Sequence, residues 1–134
     1  MNPILKNILA VIAGWFVGSL VNIGLINLGH KLFPIIGVDI NDMTAMAEIM
    51  PTLDAQYFIS PFLAHALGTL AGAFVAYKIA VTHKMKFALG IGVFFLFGGI
   101  MMNDVLPGPT WFLITDIALA YIPMAWIGGK LAAK

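Results

Sequence analysis

Charge is almost absent from four long stretches of this chain, and that spacing limits what the chain can fold into. Leaving aromatic hydroxyls aside, Lys6 and Lys31 bracket residues 7–30, with only His30 titratable between them. Asp54 and Lys78 bracket residues 55–77, with only His65 inside. Lys86 and Asp104 bracket residues 87–103, with nothing titratable inside. Asp104 and Lys130 bracket residues 105–129, with only Asp116 inside. Each stretch is about 17–25 residues long, enough for one bilayer-crossing helix and too short for two. The expectation is an all-α polytopic membrane protein, a single domain over residues 1–134. Its four transmembrane helices should lie near 5–28, 58–81, 87–106 and 111–131, with one sizeable loop at 31–57.

Composition removes the alternatives. Hydrophobic residues make up 61% of the chain and charged residues 10%, against about 45–50% and about 25% in soluble domains. A domain this small could not hide so much apolar surface from water. The runs lack the alternation of an outer-membrane barrel, and four strands could not close one. There are no cysteines, which excludes disulfides, thiolate metal sites and cysteine nucleophiles. A net charge of +1, dispersed along the chain, gives no nucleic-acid footprint.

Proline punctuates the helices. Phe33-Pro34 should stop the first. Ser60-Pro61 fits the first turn of the second, where a missing N–H costs nothing and serine can cap. Pro107-Gly108-Pro109 forces a tight turn between the third and fourth, and Pro123 should kink the fourth by removing a backbone bond. The first apolar run exceeds a signal-peptide core of about 7–15 residues and no Ala-x-Ala site follows, so it is expected to be retained.

Six of the seven basic residues fall on one side: Lys6, Lys78, Lys84, Lys86, Lys130 and Lys134, with Lys31 alone opposite. The positive-inside rule then places both termini in the cytoplasm. Asp39, Asp42, Glu48, Asp54, Asp104 and Asp116 gather on or near the outer side. A bias this strong disfavours dual insertion, so any homo-oligomer should be parallel.

Small residues recur at helical spacing. The expected packing seams include Gly14 and Gly18 on the first helix, Gly68 and Gly72 on the second, Gly98 and Gly99 on the third, and Gly128 on the fourth. Such stripes let backbones approach closely in lipid. Among the polar residues, Asn22, His65 and Asp116 lie roughly 7–10 Å below the outer surface at 1.5 Å per residue. Thr69 extends the His65 face one turn deeper, and Asn103 and Asp104 lie above. Buried ionisable groups usually face the bundle interior and pair, and His65 with Asp116 is the natural pair. Two readings stay open: a hydrogen-bonded clamp between the second and fourth helices, or a proton-titrating site open to the outside. Asn22 is expected to make an interhelical hydrogen bond, and His30 to be solvated.

In the outer loop, Asp42 to Met50 predicts a short amphipathic helix, capped by Asn41 or Asp42 and ended by Pro51. Met43, Met46, Ala47 and Met50 share one face, able to lie on the membrane or to cover the mouth of the bundle. Thioethers suit Cu(I), but methionine also fills apolar gaps. No Cys or His accompanies the three Met, so the interfacial helix is the reading and no cofactor is expected. No hydrolase, metalloprotease or nucleotide-binding motif appears.

Three stretches carry a family resemblance: Pro61-Phe-Leu-Ala-His-Ala-Leu-Gly-Thr-Leu-Ala-Gly-Ala-Phe74, Met85-Lys-Phe-Ala-Leu-Gly-Ile-Gly92 and Leu119-Ala-Tyr-Ile-Pro-Met-Ala-Trp-Ile-Gly-Gly-Lys130. They resemble a group of small four-helix inner-membrane proteins of Bacteroidota and other environmental bacteria. The resemblance implies a bacterial inner-membrane location and brings no catalytic or binding residue. The expected function is non-enzymatic: a homo-oligomer or an accessory subunit of a larger membrane complex, with lipid and other membrane subunits as partners. The alternative is a small parallel-oligomeric transporter or channel with a proton-linked site at His65 and Asp116.

Overall fold

A computed structural model describes residues 1–134. The chain is all-helical, and four helical segments are long and apolar enough to cross a membrane. Helix α1 spans Pro3–Leu32, and a short α2 spans Met43–Ile49. Two single-turn 3-10 segments, Met50–Thr52 and Ala55–Phe58, lead into α3, Ile59–Ile79. Helix α4 spans Lys84–Val105, α5 Thr110–Leu119 and α6 Ile122–Ala133.

The boundaries depart from the sequence expectation for local reasons. Helix α1 begins at Pro3, not near residue 5, because Asn2 caps it: its Oδ1 accepts from the Ile4 N–H at 2.8 Å. It continues to Leu32, where Pro34 pushes Phe33 out of helical geometry. Helix α3 stops at Ile79, two residues short of the expected end, as Ala80 turns extended. Helix α4 starts three residues early, behind His83, which holds the left-handed conformation at φ 43°. The fourth span is two helices rather than one bent helix. Pro123 has no N–H to give to the Leu119 carbonyl, and the chain breaks at Ala120 and Tyr121.

Helix α3 is the axis of the bundle. It packs on α1, α4 and α6, while α1 leans almost entirely on α3. Helices α1 and α3 run antiparallel, and the approach is set by two glycine pairs. A Cβ on Gly14 would lie 2.6 Å from the Gly72 carbonyl oxygen, and one on Gly72 the same distance from that of Gly14. Gly18 and Gly68 repeat the arrangement at 2.7 and 2.8 Å. Gly128 packs on the Leu70 carbonyl, joining α6 to α3, and Gly99 packs on the Tyr121 hydroxyl. Gly98 is a correction: its Cβ position faces open space, so it forms no seam within this chain. The same stripe on α1 extends to Gly29, which the sequence reading missed and which packs on Ser60.

The ends of the bundle differ. At the lysine-rich end, Ala73, Ala76, Ala88, Ile91 and Ala125 form a tight core. Lys78, Lys84 and Lys130 each lie 5.3–5.7 Å over an aromatic ring, apolar stems along the helices and charges at the rim. Asn7 ties α1 to the α3–α4 turn there: its Nδ2 donates to Thr82 Oγ1 at 2.7 Å and its Oδ1 accepts from Val81 N–H at 3.0 Å. Asn7→Ala should cost about 1 kcal/mol and speed amide exchange at Val81, with little change elsewhere. At the opposite end, α5 touches its neighbours only lightly. The break at Ala120–Tyr121 frees it from the line of α6, and a space opens under α2.

Candidate functional site

That space is a cavity of about 190 Å³, bounded by α1, α2, α3, α4 and α5. Helix α2 roofs it. Asp42 caps α2, its Oδ1 accepting from the Thr44 and Ala45 N–H groups at 3.1 Å. The methionine face divides: Met46 is buried and lines the cavity with Met50, whereas Met43 is exposed. The α-helix stops at Ile49, ahead of Pro51 as expected, and the chain runs on as a 3-10 turn to Thr52. One flank is closed by aromatic packing, with Phe58 4.7 Å from Phe112 and 5.6 Å from Trp111, centroid to centroid.

Ser60 was expected to cap α3 and does not. Its hydroxyl donates instead to the Leu25 carbonyl of α1 at 2.9 Å, pinning the two helices together at the cavity wall.

The polar wall is a connected trio. His65 on α3 donates from Nδ1 to Asp116 Oδ1 on α5 at 2.8 Å. Tyr121, between α5 and α6, donates its hydroxyl to Asp116 Oδ2 at 2.8 Å. The Tyr121 and His65 rings stack at 5.8 Å with 25° between planes. Both carboxylate oxygens are thus occupied, and the Asp116 side chain is 7% exposed. The His65 side chain keeps 20% exposure. Its Nε2 makes no hydrogen bond and remains accessible. A carboxylate only accepts, so it holds the proton on Nδ1 and leaves Nε2 of the neutral ring as an acceptor. A carboxylate bonded to one ring nitrogen in this way fixes both the tautomer and the ring plane.

Tyr121 is the member that sequence reasoning missed. Its signal was present: it lies five residues beyond Asp116 and two before Pro123. A straight helix would not bring positions i and i+5 together; the break does.

The other expected site residues lie elsewhere. Asn22 is not part of the cavity wall, although its depth matched. It sits in the α1–α3 seam, where its Cβ and backbone N–H crowd Gly68, and its side chain makes no hydrogen bond across. Equal depth was not equal facing, since the cavity takes Ile26, Gly29, His30 and Phe33 from α1 instead. His30, expected to be solvated, lines the cavity. Thr69 is 1% exposed and its Oγ1 has no partner. Valine has nearly the same shape and no hydroxyl to satisfy. Thr69→Val should therefore raise the thermal midpoint in detergent, by the equivalent of about 1 kcal/mol.

Comparison with family models, curated proteins and solved structures finds no match to the chain.

Proposed function

We propose that the protein is a non-enzymatic component of the bacterial inner membrane, with both termini cytoplasmic. In this reading its cavity faces outward and takes up a small molecule in a proton-linked transport step. The observation that carries the proposal is His65: held through Nδ1 by a fully engaged Asp116, its Nε2 without a hydrogen bond, and its side chain on the wall of a cavity of about 190 Å³. A clamp between helices would need the bond and no cavity. Histidine is the side chain whose proton exchanges near neutral pH, and intramembrane ionisable groups mark proton and substrate paths. The orientation is supported by six of the seven lysines, which cluster at the end of the bundle away from the cavity, with Lys31 alone at the other. The glycines at positions 14, 18, 68 and 72 are used within the chain, which removes much of the reason to expect a scaffold.

The test is compound-stimulated proton movement in proteoliposomes carrying a trapped pH dye. The wild-type protein should respond, and Asp116→Asn and His65→Ala should abolish the response while still inserting. Undiminished flux in both variants would overturn the proposal. So would variants that lose only thermal stability, with no compound moving protons through the wild type.

A second reading, assembly into a parallel homo-oligomer or with another membrane subunit, is favoured by α4. Gly90 and Gly98 there open onto free space, beside the exposed side chains of Phe94, Phe97 and Met101. Single-cysteine cross-linking at Gly98 in native membranes tests it: a cross-linked dimer supports it, and monomer alone overturns it.

A further inference from the structure

We infer that the cavity is built for a monocyclic phenol, with hydroquinones included in the class. The inference rests on the proton-linked reading of His65 and narrows its ligand.

Size comes first. An apolar cavity of about 150 Å³ holds one benzene molecule, and drug-sized ligands need about 300–1,000 Å³. At about 190 Å³, this cavity takes one six-membered ring with small substituents. The walls fit a ring too. Met46, Met50 and Met102 line it alongside Phe33 and Phe112, and thioether sulfur packs well on aromatic edges.

Charge comes second. No lysine or arginine lines the cavity, so nothing permanently cationic receives an anion. Asp116 already accepts on both oxygens from His65 and Tyr121, so it is poorly placed to hold a cation. The ligand therefore enters neutral.

The hydrogen-bonding pattern comes third. With Nδ1–H given to Asp116, the free Nε2 of neutral His65 seeks a donor, and a hydroxyl supplies one. Asn103 offers a second polar point on the wall. Its Oδ1 accepts from the Gly108 N–H at 3.4 Å, which leaves the Nδ2 hydrogens for a ligand oxygen.

Proton linkage then separates phenols from aliphatic alcohols. A phenol ionises near pH 10 in water, as tyrosine does, within reach of an imidazole; an alkanol does not. In the step, the phenol O–H bond breaks and a His65 Nε2–H bond forms. The oxygen keeps the electron pair as phenolate, and the resulting imidazolium faces the Asp116 carboxylate. No electrons are transferred and no further reactant is needed.

The phenol has two possible sources, a free molecule from the aqueous side or the head of a lipid hydroquinone in the leaflet. The experiment separates them. Full-length protein in nanodiscs, labelled at methionine methyls, is titrated with p-cresol, toluene and a hydroquinone bearing a decyl tail. Shifts at Met46 and Met50 report cavity occupancy apart from partition into lipid. Wild type should bind p-cresol roughly tenfold or more tighter than toluene, as one hydrogen bond to a polar partner implies. His65→Ala should keep toluene binding, which shows an intact cavity, and lose the preference. His65→Gln, which keeps a polar side chain, should restore part of the preference without proton uptake. Tighter binding of the tailed compound assigns the lipid source, and equal or weaker binding the free phenol; either supports the inference. Equal affinity for toluene and p-cresol, or no shift at Met46 and Met50 with any of the three, overturns it. If another compound class still drives proton flux, the phenol assignment fails and the transport proposal stands. If no compound does, the transport proposal fails as well.

Discussion

Gly72→Leu should detach α1 from the rest of the bundle. Any side chain at position 72 starts from a Cβ only 2.6 Å from the Gly14 carbonyl oxygen and 3.1 Å from Ile91 Cγ2. The first obstacle is backbone, which cannot rotate away, and the reciprocal contact from Gly14 prevents a one-sided adjustment. Overpacking typically costs about 1–3 kcal/mol and sometimes more. Gly72→Ala should fall within that range, and leucine beyond it, because α1 has almost no other partner to hold it. The readout is the thermal midpoint together with cross-linking between cysteines at positions 7 and 82, which the wild-type packing brings within hydrogen-bond distance. Gly98→Ala is the control. Nothing lies within 4 Å of its Cβ position, and alanine is favoured over glycine in a helix by about 1 kcal/mol. It should be neutral or slightly stabilising. Its neighbour Gly99→Ala should behave oppositely, because the new methyl meets the Tyr121 hydroxyl and displaces it from Asp116. Two adjacent glycines with opposite outcomes would show that these positions are set by facing, not by composition.

Asp116→Leu should be the most damaging change to the polar trio. It strands the His65 Nδ1–H and the Tyr121 hydroxyl together. A buried donor left unpaired costs about 1–3 kcal/mol in water-soluble proteins, while side-chain hydrogen bonds between membrane helices average about 0.6 kcal/mol. The second scale applies better here, because the separated helices also find partners in the bilayer. Two lost bonds plus the stacking they support then give a loss of about 1–3 kcal/mol. Asp116→Asn should cost less, since its carbonyl oxygen still accepts from Nδ1–H. It removes the charge that faces an imidazolium, so it should abolish proton-linked activity with most of the stability kept. Paired measurements of melting and flux separate the two effects. A variant that loses both in proportion would point to a structural clamp alone.

The pairing of His65 with Asp116 was legible because both are ionisable, both sit in otherwise apolar spans, and counting from the loop side gives them similar depth. The same count misplaced Asn22, since depth says nothing about which way a residue faces around the helix. Tyr121 was missed because a five-residue offset is not a contact in an unbroken helix; only the consequence of Pro123 makes it one. The glycine stripes of α1 and α3 followed from spacing alone, but Gly98 satisfied the same pattern and faces away from every other helix. Helix ends were less legible: α1 runs four residues past the expected 28, up to the stop that Pro34 imposes, and α4 starts three residues before the expected 87, behind the left-handed His83.

What the sequence by itself determined is the class: four apolar helical spans, the lysine-rich end, and His65 and Asp116 as the ionisable pair within the spans. That follows from the one-dimensional requirement that a bilayer-crossing segment be apolar over a fixed length. The tertiary structure alone decided which small residues meet backbone, where the fourth span breaks at Ala120–Tyr121, and that α2 borders a cavity shared with α1, α3, α4 and α5. Facing and splay depend on how helices rotate and tilt against one another, and that is set by the sum of many weak packing contacts between residues far apart in the chain.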